Sequence, residues 1–298
     1  MNLSFEVCNE EGLSKYVQSL KSIEENILYP LENGAESFRI SHGETYTPFF
    51  TNQGYKTRFL IIKDSQKVIG GIVGIWKEIT ILKQRNKILY VADLKLEKNY
   101  RGKGVIKRSL FFLFIRWPFI KNFQGWDLIY FCAMQREKIG VDQTFKGLHL
   151  GKLANPIAEF FIYMVDPKLF MNYKFSELKH KPKNYINFSQ NRKKNVLWND
   201  GIKDIILNKN DQKIQLGHLN PELFITLNKS KFDEAIGEIR DRKGSLACFS
   251  IDIKEQEKLN WLKKMGIESE TRCKIFSFKP FLLRSIKPNT FYISTGEI

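Results

Sequence analysis

Paired cysteines are what this sequence most plainly lacks. Its four cysteines, Cys8, Cys132, Cys248 and Cys273, stand far apart and share no short spacing. That excludes a disulfide-built scaffold and points to a reduced, cytoplasmic setting. The four histidines, His42, His149, His180 and His218, are equally scattered, and none forms a ligand pair with a cysteine. No metal site is expected from them, and a surface or structural role is expected of each. Long apolar runs are missing too. The longest, Leu110 to Ile120, is broken by Arg116 and Pro118, well short of the ~20 residues a membrane helix needs. Met1 to Gly12 is polar and acidic, without the build of a secretion signal. Acidic residues are also outnumbered: 32 Asp and Glu face 48 Lys and Arg, a net charge of +16. Such a balance favours an anionic partner, whether nucleic acid, a membrane surface or an acidic ligand. The excess is spread along the chain, from Lys15 and Lys21 through Lys77, Lys83, Lys87 and Lys121, and is dense only from Lys179 to Lys194.

What is present is enough apolar material for a large core. Hydrophobic residues make up 43% of 298 positions, with 24 Phe, 11 Tyr and 5 Trp, so burial is aromatic-heavy and two domains are expected. Leu3 to Val7 reads as a strand. Glu11 to Leu28 repeats at helical spacing through Leu13, Tyr16, Val17, Leu20, Ile23 and Ile27. Asn33 to Tyr55 reads as a polar-aromatic loop. Phe59–Lys63 and Val68–Ile75 are apolar, β-branched runs split by Asp64-Ser65-Gln66-Lys67, the pattern of a hairpin.

The densest signal lies at Leu94 to Val105, directly after the apolar run Ile88–Ala92 and before the apolar, basic segment Ile106–Ile120. This is a strand, a tight glycine turn and a helix. Such a turn aims unpaired backbone N–H groups at one spot, at the positive end of the helix dipole, and that geometry holds phosphate. Arg101, Lys103, Lys107 and Arg108 add charge around it. The turn matches neither the P-loop nor the dinucleotide pattern. The arrangement Leu94-x-Leu96-x-x-x-Tyr100-Arg101-Gly102-x-Gly104-Val105 resembles the acetyl-CoA-binding motif of the GNAT N-acetyltransferases. There Leu-x-Val-x-Pro-x-Tyr precedes Arg-Gly-x-Gly-Ile-Gly. Lys98 takes the place of the usual proline and Ile106 that of the last small residue; an isoleucine at that point could crowd a phosphate cradle. Trp126 to Ala133 reads as the family's fifth strand, which splays from the fourth to admit the pantetheine arm. Pro156 to Val165 reads as a returning strand. The resemblance spans roughly residues 1–170 and is strongest over 57–133.

It implies an α/β fold with a mixed sheet, GNAT-like, in two tandem units. Residues 1–178 are expected to form the acetyltransferase domain, 179–195 a basic linker, and 196–298 a degenerate GNAT-like domain. In the last, Leu223–Leu227, Leu246–Ile253, Cys273–Phe278 and Phe291–Ser294 read as strands. Phe232–Asp241 and Glu255–Met265 read as helices, the second ended by Gly266. Leu262 stands where the family carries a tyrosine.

The implied reaction is acetyl transfer from acetyl-CoA to an amine, on a small molecule or a protein, by direct attack. By resemblance the amide of Leu96 faces the acyl carbonyl. The amides of Arg101, Gly102, Lys103, Gly104, Val105 and Ile106, with Lys107 beside them, hold the pyrophosphate. Asp93 is the candidate base; a structural carboxylate at a strand end is the competing reading. Alternation places Asp93, Lys95 and Glu97 on one face of a regular strand, with Glu97 facing solvent. Glu44 and Tyr46, beside Phe49 and Phe50, are candidates for the acceptor pocket. Phe145 stands where the family's acid tyrosine is expected. Tyr130 or Tyr163 could replace it, the thiolate could leave unassisted, or catalysis could be lost. Two alternatives stay open: a GNAT-fold binding module without turnover, and a nucleic-acid-associated protein using Lys179–Lys194, where Tyr185 and Phe188 interleave with cations.

Overall fold

The computed structural model describes residues 1–31, 36–81, 83–116, 119, 125–134, 154–171, 175–269, 271–278 and 288–298. The first half opens with β1 (Leu3–Cys8), α1 (Glu10–Leu13) and α2 (Val17–Glu24), so the expected first helix is in two pieces. β2 (Tyr29–Leu31) follows, and β3 (Glu36–Ser41) and α3 (Pro48–Thr51) lie where a polar-aromatic loop was expected. β4 (Lys56–Asp64) and β5 (Lys67–Ile81) form the expected hairpin, Asp64 pairing with Lys67. β6 (Gln84–Leu96) leads through the glycine turn into α4 (Val105–Arg116); β7 (Leu128–Met134) and β8 (Asn155–Val165) complete this half.

The second half contains short strands β9 (Tyr185–Asn187), β10 (Val196–Trp198), β11 (Asp204–Leu207), β12 (Lys213–Ile214) and β13 (Leu216–Leu219). α5 (Glu222–Thr226) and α6 (Lys229–Asp241) precede β14 (Leu246–Asp252), α7 (Gln256–Lys264), β15 (Arg272–Phe278) and β16 (Thr290–Tyr292). α5 lies where a strand was expected. Asn220 Oδ1 accepts the Glu222 N–H at 3.0 Å and starts the turn, and Leu227 ends it at φ +52°. A short apolar run carries no period long enough to separate strand from helix. α6 buries Phe232, Ala235, Ile236 and Ile239, the spacing of one helix face. Gly266, at φ +70°, ends α7 as expected, with the Ile267 N–H returning to the Leu262 carbonyl at 3.0 Å.

One ten-stranded mixed sheet runs through both halves in the order β1-β4-β5-β6-β7-β15-β8-β14-β13-β10. β15, from the C-terminal segment, lies between β7 and β8, antiparallel to each. β8 in turn pairs with β14. The halves therefore exchange strands. A second sheet, β12-β11-β3-β2, also joins them, Ile205 of β11 lying opposite Ile40 of β3. One core packs α2, α3 and β4–β7, around Phe50, Phe59, Ile61 and Ile75. Another packs α5–α7 on β14, around Phe224, Phe232, Phe249 and Trp261. The stretch 179–195 is not all solvated: Ile186, Asn187, Phe188 and Ser189 are buried. Apolar Ile186 and Phe188 alternate there and join the first core.

Candidate active site

The site begins with a defect in β6. Gly71 pairs with Lys95 and Val73 with Ala92, so the single residue Ile72 faces both Asp93 and Leu94. This is a β-bulge, and Asp93 takes φ +51° within it, a conformation uncommon outside glycine. Regular alternation ends with the strand at Leu96. Asp93 and Lys95 side chains still meet, at 3.1 Å, but Glu97 turns to the surface and pairs with Lys67 at 2.8 Å.

Beside the bulge the sheet opens. β6 and β7 pair in parallel from Ile88–Leu128 to Val91–Phe131. Beyond that, β6 stays with β5 while β7 stays with β15. The Glu97 N–H donates to the Ile69 carbonyl on β5 at 2.8 Å. Backbone alternation turns the Leu96 N–H the opposite way, into the gap. The Leu96 carbonyl lies on that side as well, accepting from Arg101 Nε at 3.0 Å.

The glycine turn closes one end of the gap. Gly102 and Gly104 have φ of +76° and +72°, and a Cβ on either would meet nothing within 4 Å. The turn is open to an approaching ligand. Val105 anchors α4 among Ile62, Ile69 and Leu96. Ile106 leans on that cluster and also lines the cavity. The first amides of α4 have no acceptor inside the helix, and no acidic residue lies in its first turn. Lys103, Lys107 and Arg108 are exposed around them, and the Lys103 ammonium lies over the Tyr100 ring, 5.8 Å from its centre.

From this turn a cavity of about 390 Å³ runs through the gap to the other side of the sheet. There it meets a charged group the sequence did not announce. Lys95 Nζ lies 2.5 Å from Glu24 Oε2 and 3.1 Å from Asp93 Oδ1. His42 donates its backbone N–H to Glu24 Oε1 at 2.9 Å, and its ring Nδ1 lies 2.6 Å from Glu24 Oε2. Tyr46, buried and at φ +57°, donates its hydroxyl to Asp93 Oδ2. Burial alone would raise the Glu24 carboxyl, but His42 and Lys95 outweigh it and bring it to about 2. Burial would lower the Lys95 ammonium, but Asp93 and Glu24 outweigh it and raise it. Burial and the Asp93 charge push the Tyr46 phenol well up. Donor atoms of Glu24, His42 and Asp93 lie within 4.8 Å of one another. The Lys95 ammonium already bonds both carboxylates, so the group is satisfied without a metal ion.

At the far end Lys203 donates to the Ile298 carbonyl and lies over Phe49, 4.7 Å from the ring centre. Burial lowers its ammonium to about 8.

Asp93, Leu96, Arg101, Gly102, Gly104, Val105, Ile106 and Lys107 thus line one cavity. Lys103 stands outside its wall, and Tyr46 lies behind it, against Asp93, Lys95 and His42. Glu44 is exposed and not part of the lining. Tyr130 is buried in the core, stacked on Tyr90 at 4.7 Å, and Tyr163 is stacked on Phe249 at 5.1 Å in the other core. Neither lines the cavity. Phe145, with Lys146, Gly147 and Leu148 after it, lies outside the described residues. Glu24, His42, Lys95, Phe49 and Lys203 were not singled out as site residues from sequence. Lys95 alone carried a signal, a lysine between two strand carboxylates.

The fold and site define a mixed α/β protein whose split sheet joins an open glycine turn to a charged chamber. No family model and no curated protein matches the sequence. Solved structures do match in fold. Saccharomyces cerevisiae N-myristoyltransferase with bound myristoyl-CoA is 12% identical, at a TM-score of 0.47 over 92% of this chain and 82% of that one. A tandem GNAT protein from the clavulanic acid biosynthesis pathway is 7% identical, at 0.49 over 92% and 98%. A GCN5-related N-acetyltransferase from Anabaena variabilis is 13% identical, at 0.45 over 92% and 72%.

Proposed function

We propose that this chain is an acyl-CoA-dependent N-acyltransferase built from two GNAT-like halves, with acetyl-CoA its simplest donor. The observation that carries the reading is the coincidence of three features along one path: the open glycine turn at α4, the gap between β6 and β7, and the bulge at Asp93. The amides from Arg101 to Ile106 receive the pyrophosphate, and Lys103 and Lys107 complement its charge. The pantetheine arm follows the gap. The Leu96 N–H then faces the thioester carbonyl and stabilises the negative charge that develops on its oxygen. An amine entering from the Glu24–His42 side attacks the carbonyl carbon. Asp93 takes the proton released as nitrogen bonds to carbon; the tetrahedral adduct then collapses, its carbon–sulfur bond breaks, and CoA leaves as the thiolate, which is protonated from solvent. Lys95 and the Tyr46 hydroxyl orient the Asp93 carboxylate for that task. The acceptor is a small-molecule or protein amine.

The nucleic-acid reading is not favoured. Phe188, needed as a stacking platform, is 2% exposed, and the buried run Ile186–Ser189 interrupts the basic stretch.

Thermal-shift titration with acetyl-CoA, CoA and ATP tests the proposal. Saturable stabilisation by the CoA compounds is expected, and its loss in Gly104→Asp, whose carboxylate would stand where phosphate binds. A wild-type protein indifferent to CoA would end this reading. Binding without acyl transfer to a broad amine panel would leave a binding module.

A further inference from the structure

Past Leu96 the lining of the main cavity divides into a charged group and a more apolar side. The charged group is Glu24, His42, Asp93 and Lys95. The other side lies at Met134, at the tip of β7, next to a second cavity of about 50 Å³. The two share Ile40, Met134, Lys203 and Ile298 as a common wall.

The second cavity is apolar. Phe38, Ile162, Ile205 and Leu216, all buried, form its floor and roof, with Met164 beside them. Two of the polar groups on its wall, His218 Nδ1 and the Lys203 ammonium, are engaged. His218 Nδ1 lies 2.9 Å from Thr295 Oγ1, and the Lys203 ammonium donates to the Ile298 carbonyl while lying against Phe49. By the space one water needs, the cavity admits about three or four methyl-sized groups. Water there would find few free partners, whereas methylenes would each add about a fourfold gain in affinity.

Taken with the reading above, on which this rests, the geometry points to the second cavity as the tail pocket of the acyl donor, so the preferred donor is a CoA ester longer than acetyl. The attacking amine belongs beside the charged group, where its polar group and departing proton find partners. The β3–β11 pair roofs the other side through Phe38, Ile40 and Ile205. An acyl chain ends and fits a roofed pocket; a protein acceptor has to continue into solvent.

The experiment titrates the full chain with CoA and with its C2, C4, C6, C8 and C14 esters, reading dissociation constants. Affinity is expected to rise at least tenfold from C2 to an optimum at C6 or C8 and to fall at C14. Ile205→Phe and Leu216→Phe fill the pocket and should reduce the C6-to-C2 affinity ratio to about one. Ile205→Ala enlarges it and should move the optimum to longer chains, a readout that survives if the larger substitutions prevent folding. CoA binding with no gain from chain length would overturn this inference alone. So would filled variants that keep the length profile, or that change only the KM for the amine, which would make the cavity an acceptor pocket. Absence of CoA binding would overturn the parent reading and this inference together.

Discussion

Asp93 holds the one left-handed backbone conformation in β6, and that bulge gives its carboxylate three neighbours at once. Lys95 and Tyr46 occupy its two oxygens, and the cavity lies in front of it. Asp93→Asn keeps the shape and removes the base. The expected result is a fall in kcat of about 10²–10⁴-fold with CoA affinity unchanged, read by steady-state kinetics beside a CoA titration. A kcat within twofold of wild type would leave Asp93 a structural carboxylate. Glu24 supports the same group from below. Its carboxyl lies at about 2 against an ordinary 4.5. A depressed carboxylate contributes stability that is complete above the unfolded value and is lost as pH falls through the folded one. Urea midpoints should therefore drop as pH goes from 4.5 toward 2, and Glu24→Gln should flatten that slope. Parallel acid limbs for the two proteins would show that the Glu24–Lys95–His42 contacts add nothing.

Among the elements, those legible in sequence were the ones whose partners are near in the chain. The β4–β5 hairpin announced itself by two β-branched runs around a polar turn, and the glycine turn by its strand and helix on either side. α5 was misread because a five-residue run with four apolar side chains carries no decisive period. The charged chamber was illegible for a different reason. Glu24 ends a helix whose polar residues look solvated, His42 sits in a segment read as loop, and Lys203 comes from the other half of the chain. Only the packing of α2 and the β3–β11 pairing brings them to the bulge. The contact that holds this arrangement is testable at two glycines. Gly43 has φ +67°, and a Cβ on it would collide with the Gly201 carbonyl oxygen; Gly201 has φ +69° but open space around it. Gly201→Ala should cost about 1–2 kcal/mol, from the left-handed conformation alone. Gly43→Ala should cost about 2–4 kcal/mol, because backbone must also move. Urea denaturation of the two variants side by side decides it, and equal losses would mean that the loops separate at no cost.

At the scale of the whole molecule the exchange of strands decides how the protein folds. β15 supplies hydrogen bonds to both β7 and β8, so the strand that bounds the site cannot be completed without the last third of the chain. The C-terminal segment is tied back a second time. Glu297 pairs with Lys77 on β5 at 3.3 Å and accepts from Ser189, while Ser294 donates its N–H to Ser189 Oγ at 2.9 Å. A fragment of residues 1–178 would keep the glycine turn and the bulge but leave β7 as an open edge and β8 without either neighbour, and such strands invite association with other chains. We expect that fragment to aggregate and to show no stabilisation by CoA. The full chain should unfold in urea in one transition, coincident by tryptophan fluorescence and circular dichroism, since neither half completes its sheet alone. Two separated transitions, or a soluble fragment 1–178 that binds CoA, would mean that the turn and the gap are organised by the first half alone. The exchange would then serve only to join the halves, not to build the site.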